Sequence, residues 1–129
     1  MANQNLTDFD PALALMGQFG KLSGGSTAAM HTLRTKTLYS DGEVPSKYKV
    51  LAAALWSVSA RCEPCIKYYI NEAIKRDVTE KELAEFLAVA TGMGGCVGET
   101  WAMKAFKAYH DLKNGVTSET DSVDACGCG

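Results

Sequence analysis

Apolar residues recur along most of this chain at intervals of three and four positions, which is the spacing of one face of a helix. The clearest examples lie in residues 46–60 and 80–92, where the recurring positions are Val50, Leu51, Ala54, Leu55, Val58, Leu83, Phe86, Leu87 and Ala90. No segment alternates apolar and polar residues as a half-buried strand would. The pattern therefore predicts an all-α protein.

Capping residues and glycine-rich breaks divide this pattern into about six helices. Most of the expected starts carry a proline or a capping side chain: Asp10 with Pro11, Ser26, Pro45, and Thr79 with Glu82 in a capping box. The glycine-rich stretch "GMGGCVG" should separate the last two helices, and the final helix should end at Asn114-Gly115.

The helical pattern ends near residue 115. We therefore predict one helical domain over residues 1–115, and a chain of 129 residues is long enough to bury a core without disulfide staples. The following residues 116–129, "VTSETDSVDACGCG", are polar, acidic and rich in glycine. This composition predicts a flexible tail that carries Cys126 and Cys128.

Composition and charge exclude several classes of partner. The net charge is −2, and Lys and Arg form no cluster, so we expect no binding to nucleic acid. No apolar run approaches the roughly 20 residues of a membrane span, and the N-terminus has no secretion signal. We therefore expect a cytoplasmic protein. In that reducing compartment, five cysteines are expected to be reactive or metal-binding rather than structural.

The stretch "ARCEPCIKYY" holds a CxxC pair at the predicted start of the fourth helix, because Pro64 is tolerated only in a first turn. Residues i and i+3 share a helix face, so Cys62 and Cys65 can form a disulfide. The positive end of the helix dipole and the neighbouring Arg61 favour a thiolate. The alternatives are two buried apolar residues or half a zinc site, and the all-helical pattern disfavours a thioredoxin fold.

The other three cysteines provide an alternative function. Cys96 lies in "GMGGCVG", and Cys126 and Cys128 end the chain in "CGCG". Together with Cys62 and Cys65, they are candidates for binding a soft metal or a metalloid. Equally, Cys96 is expected to be a small residue at a helix contact, and the tail cysteines to have no function.

Residues 44–95, from "VPSKYKVLAAALWSVSARCEPCI" through "VTEKEL" to "MGG", resemble the carboxymuconolactone decarboxylase/alkylhydroperoxidase D (AhpD-like) family. The resemblance implies an AhpD-like all-helical subunit over residues 1–115 that assembles into trimers or hexamers. It also implies an antioxidant thiol peroxidase or oxidoreductase with a redox-active Cys62–Cys65 disulfide and no required cofactor. Cys65 would attack a hydroperoxide or disulfide substrate, Cys62 would resolve the product, and a dithiol donor would reduce the pair.

This chain departs from the family's proton relay. Val50 and Tyr69 stand where family peroxidases have a glutamate and a histidine, and Pro64 stands where the best-known members have a further histidine. Valine transfers no proton, and tyrosine is a poor base near neutral pH. We therefore expect thiol–disulfide exchange with only weak hydroperoxide reductase activity. Tyr69 remains a candidate hydrogen-bond donor. His31 and His110, within predicted helices, are expected to be half-buried or surface histidines, and they become candidates to supply the proton if the wild type reduces hydroperoxides fast.

Overall fold

The computed structural model describes residues 6–115 and is helical throughout. Two short 3₁₀ segments, Leu6–Asp8 and Pro11–Leu15, precede five helices. These are α1 (Met16–Leu22), α2 (Ser26–Thr37), α3 (Ser46–Ala60), α4 (Glu63–Lys75) and α5 (Glu80–Lys113). The predicted all-α class is confirmed, and residues 6–115 contain no strand.

The core lies between α3, α4 and α5, which pack against one another. The side chains with almost no exposed surface come from all three helices: Val50, Leu51, Ile66, Ile70, Leu83 and Ala105. They occupy the apolar positions of the helical pattern, so burial follows the spacing of the sequence. Burying each of the larger aliphatic side chains contributes about 1.5–3 kcal/mol.

The long helix α5 is a hairpin of two helical arms joined at Gly95, whose φ of 61° and ψ of −140° are not helical. Glu80 and His110 form a 2.9 Å pair although thirty residues separate them. Thirty residues of straight helix would span about 45 Å, so the chain must reverse between them. The predicted break at "GMGGCVG" is therefore present, and counting the two arms separately gives six helices.

Two predicted capping features are confirmed, and one is wrong. Asp10 accepts a hydrogen bond from the backbone of Ala12, and Thr79 and Glu82 form the capping box of α5. Ser26, predicted as the cap of α2, is instead its first residue, because Gly25 occupies the cap position in a left-handed conformation. A left-handed backbone is accessible to glycine at little cost, so the turn selects glycine there.

A partly buried polar cluster around Ser46, the first residue of α3, ties the end of α2 to the end of α4. Ser46 donates from its hydroxyl to the carbonyl of Leu38, 2.7 Å away, and accepts from Nε of Arg76 at 2.9 Å. Arg76 also pairs with Glu72 at 2.7 Å and lies 5.1 Å from the ring centre of Tyr39. These contacts hold the C-terminal end of α2 against the start of α3 and the end of α4.

None of the helices in residues 6–115 combines the length and hydrophobicity that a membrane-spanning segment requires.

Candidate functional site

The corner between α3 and α4 places the CxxC pair. Arg61 ends α3 in a left-handed conformation, with φ of 56°, and the N–H of Cys62 donates back to the carbonyl of Ser57 at 3.1 Å. Cys62 is also the N-cap residue of α4, and its carbonyl accepts a hydrogen bond from the N–H of Ile66 at 2.9 Å. The two helices therefore meet without a linker, and the cysteines lie at the junction.

Cys62 and Cys65 are joined by a disulfide across the first turn of α4, with their Cα atoms 5.3 Å apart. Pro64 lies in that turn, as predicted, and its missing N–H costs no helical hydrogen bond there. The side chain of the cap residue Cys62 makes no capping hydrogen bond. The N–H groups and the positive dipole end of α4 therefore remain available to stabilise a thiolate when the disulfide is reduced.

A cleft of about 740 Å³ lies above the disulfide, between the N-terminal segments and the start of α4. We call it the Cys65 cleft. Most of its walls are apolar or small, and they include Leu6, Leu13, Met16, Ala28, Pro64 and Tyr68. Cys65 lines this cleft, whereas Cys62 does not. Because a volume of this size is typical of ligand pockets, Cys65 is the sulfur that a bound small molecule would meet.

Tyr68 and Tyr69 line the cleft about one helical turn beyond Cys65. Tyr69 is 9% exposed, and burial raises its pKa, although the positive charge of Arg34 opposes this shift. Tyr39 donates to the hydroxyl of Tyr68 at 3.3 Å, and burial followed by this hydrogen bond raises the pKa of Tyr39. Tyr69 therefore stays protonated near neutral pH and offers a hydrogen-bond donor rather than a base.

Comparison with known proteins gives the family. The sequence model described as the carboxymuconolactone decarboxylase family matches residues 25–108, which is more than half of the chain. The chain belongs to this family. It is 35% identical over 99 residues to an uncharacterized protein of Cupriavidus necator, covering 75% of this chain and 87% of that one.

The fold of the carboxymuconolactone decarboxylase family is found again among solved structures. The crystal structure of a family protein from Legionella pneumophila superposes with a TM-score of 0.76 at 24% identity, covering 82% of this chain and 94% of that chain. At this identity the likeness shows the shared fold. The all-helical architecture expected from the resemblance is therefore confirmed by both the helices and the comparison.

The structure also shows what replaces the family's relay positions. Val50 has no exposed surface and belongs to the apolar core, so this position offers no proton. His31, on α2, lines the Cys65 cleft. His110 instead pairs with Glu80 at 2.9 Å and is not part of the cleft. Of the two candidate histidines, His31 alone lies in the cleft that Cys65 faces.

Arg61 and Cys96, which the sequence suggests near the pair, are absent from the described lining of the Cys65 cleft, as is Cys62 itself. Arg61 lines a different groove of about 580 Å³ beside Trp56 and Met93, so the cation in the Cys65 cleft is not Arg61. Residues 6–115 contain no group of three His, Cys, Asp or Glu side chains that could hold a metal ion. Cys126 and Cys128 lie outside the described residues.

Sequence reasoning missed Arg34, which lines the Cys65 cleft. Thr27, His31 and Arg34 follow one another at intervals of four and three residues, so they share one face of α2. All three line the cleft, whereas the apolar Met30 and Leu33 of the same helix are 46% and 54% exposed. This polar spacing is visible in the sequence. Only the fold shows that the polar face, rather than the apolar one, turns toward α4.

Proposed function

We propose that this protein is a cytoplasmic thiol–disulfide oxidoreductase in which Cys65 is the nucleophile and Cys62 the resolving thiol. The observation that carries the proposal is the disulfide at the start of α4 whose Cys65 end faces an apolar cleft. The N-terminal end of α4 would lower the pKa of the Cys65 thiol in the reduced state. A reducing cytosol would return the pair to the dithiol between turnovers.

The exchange reaction needs only the two cysteines and an external dithiol. The Cys65 thiolate attacks one sulfur of a substrate disulfide, the substrate S–S bond breaks, and a thiolate leaves. Cys62 then attacks Cys65 in the mixed disulfide and releases the second substrate thiol. The product is the observed Cys62–Cys65 disulfide, which a dithiol donor reduces while it becomes a disulfide itself.

With a hydroperoxide, the same thiolate attacks the terminal oxygen and the O–O bond breaks. An alkoxide leaves and takes up a proton to become an alcohol, while Cys65 becomes a sulfenic acid. Cys62 attacks that sulfur, water leaves, and the disulfide forms. We propose that His31 supplies the proton to the alkoxide and that Tyr69 donates a hydrogen bond, because both line the cleft.

Mass spectrometry of the tryptic peptides tests the redox pair directly. Trypsin cuts after Arg61 and Lys67, so residues 62–67, "CEPCIK", form one peptide that contains both cysteines. Under a graded series of thiol–disulfide buffers, this peptide should lose and regain two hydrogens reversibly. Cys65→Ser should abolish both this titration and turnover. A peptide that stays reduced under mild oxidant would refute the proposal.

The role of His31 is tested by a matched pair of variants. His31→Asn should slow hydroperoxide consumption by about 10²-fold, the lower end of what general acid–base assistance contributes, and leave disulfide exchange near its wild-type rate. His110→Asn removes a histidine away from the cleft and should change neither rate. Equal loss of both reactions in His31→Asn would instead indicate damage to the cleft itself.

We also propose that the chain assembles into a homo-oligomer, as a trimer or hexamer. The helices α1 and α2 contact the α3–α5 core only sparsely. Large apolar side chains remain open on several helices: Phe19 is 62%, Leu22 80%, Trp56 71% and Met93 85% exposed. Apolar surface of this extent on a small subunit supports contacts between copies of the chain.

A further inference from the structure

The charged side chains that line the Cys65 cleft, among the described residues, are basic. Its described lining includes Lys21, Arg34 and His31 and no carboxylate. This is a local property, because acidic residues outnumber Lys and Arg in the whole chain, 15 to 13. The cleft therefore differs in charge from the protein that surrounds it.

Arg34 is the cation best placed to meet a ligand. It is partly buried, whereas Lys21 and His31 are exposed. Within residues 6–115 it forms no ion pair with a carboxylate, unlike Arg76, which is paired with Glu72. Against the larger effect of burial, the charge of Arg34 lowers the pKa of Tyr69, which lies one helical turn from Cys65, and the more weakly acting Glu72 opposes it. A partly buried guanidinium of this kind favours a carboxylate partner, which it binds through two parallel hydrogen bonds.

The rest of the lining is apolar, with Leu6, Leu13 and Met16 on one side and Pro64 and Tyr68 on the other. Such walls favour an apolar body and offer few hydrogen bonds to a sugar or a peptide. We propose that the Cys65 cleft binds small amphipathic carboxylates, with the apolar body along these walls and the carboxylate at Arg34. Given the function proposed above, on which this assignment rests, the oxidising substrate is an organic hydroperoxide that carries a carboxylate.

Binding to the oxidised protein tests this inference without any turnover. Calorimetric titration with octanoate and with 1-octanol compares ligands that differ only in the head group. We expect octanoate to bind at least tenfold more tightly, and Arg34→Gln to remove that preference while leaving octanol binding unchanged. Lys36→Gln removes a cation from the same helix outside the cleft and should preserve the preference, and Arg34→Lys should keep part of it. Equal affinities for the two ligands, or a preference that survives Arg34→Gln, would overturn the inference.

A kinetic comparison separates this inference from the proposed function. The reduced protein is given a fatty-acid hydroperoxide or its methyl ester, with a dithiol as reductant. We expect kcat/KM for the acid to exceed that for the ester by about tenfold, and Arg34→Gln to lose the difference. If octanoate is preferred but neither hydroperoxide is reduced, the cleft assignment stands and the peroxidase proposal fails. If both hydroperoxides are reduced equally and octanoate is not preferred, the redox function stands and the carboxylate assignment fails.

Discussion

The hairpin of α5 depends on two glycines, and replacing each with alanine should destabilise the protein for a different reason. At Gly98, an added Cβ would lie 3.0 Å from the carbonyl carbon of Ala90 and closer still to its oxygen. Both are backbone atoms of the other arm, so the arms must move apart. At Gly95, the space is open but φ is 61°, which alanine adopts only with strain.

The expected changes in the free energy of unfolding follow from the clash at Gly98 and the backbone strain at Gly95. Overpacking typically costs about 1–3 kcal/mol, and the clash at Gly98 with a backbone carbonyl belongs at the upper end. Replacing glycine with alanine in a helix gains about 1 kcal/mol of helix propensity. The free energy of unfolding of Gly98→Ala should therefore fall by about 2 kcal/mol net. Gly95→Ala should lose about 1–3 kcal/mol to backbone strain. Gly92→Ala is the control, because nothing lies within 4 Å and its backbone is helical, so it should gain up to about 1 kcal/mol.

Guanidinium unfolding of the oxidised protein, followed by far-ultraviolet circular dichroism at one fixed concentration, measures these differences. Gly92→Ala and Gly98→Ala are the same substitution in the two arms of α5, yet their unfolding free energies should differ by about 3 kcal/mol, the sum of that gain and that loss. Equal stability of the two variants would show that the arms do not pack closely, and the hairpin would be wrong.

Three further predictions concern the relay positions, the α5 cap and the assembly. Combining Val50→Glu with Tyr69→His should raise hydroperoxide turnover about 10²-fold or more above either single change in a peroxide-consumption assay with a dithiol reductant. A wild type already as fast as the double variant would show that His31 supplies the proton without any further relay group. The pKa of Glu82 is lowered, first by the backbone N–H of Thr79 and then by Lys47, so its stabilising effect is present above pH about 4.5 and is lost as the pH falls through its lower folded pKa. The free energy of unfolding, measured from pH 6 to 3, should therefore fall less steeply for Glu82→Gln than for the wild type. Parallel curves for the two proteins would contradict this. Light scattering of the wild type at micromolar concentration should give a multiple of the 13.8 kDa subunit mass. Trp56→Glu should lower the measured mass. A single-subunit mass for the wild type would exclude the oligomer.

The sequence alone determined the local features of this protein. Apolar spacing gave the helices, since a helix buries one face whatever its partner, and capping depends on contacts within a few residues, as in the Thr79–Glu82 box. The position of the CxxC followed in the same way, because a proline inside a helix forces its start close to Pro64. Each of these features depends on neighbours in sequence, so a single chain is enough to infer it.

Only the tertiary structure decided which side chains share the cleft with Cys65. His31 and Arg34 lie about thirty residues before it in sequence, on α2, whose end is tied through the Leu38–Ser46 and Ser46–Arg76 hydrogen bonds to the start of α3 and the end of α4. The sequence pointed to the neighbouring Arg61 as a cation near the pair; Arg61 ends α3 in a left-handed turn and lines a different groove, and only the fold places Arg34 in the cleft. The direction of a side chain after such a turn, and the face that a weakly amphipathic α2 turns inward, depend on packing between distant segments. Periodicity within one segment does not contain that information.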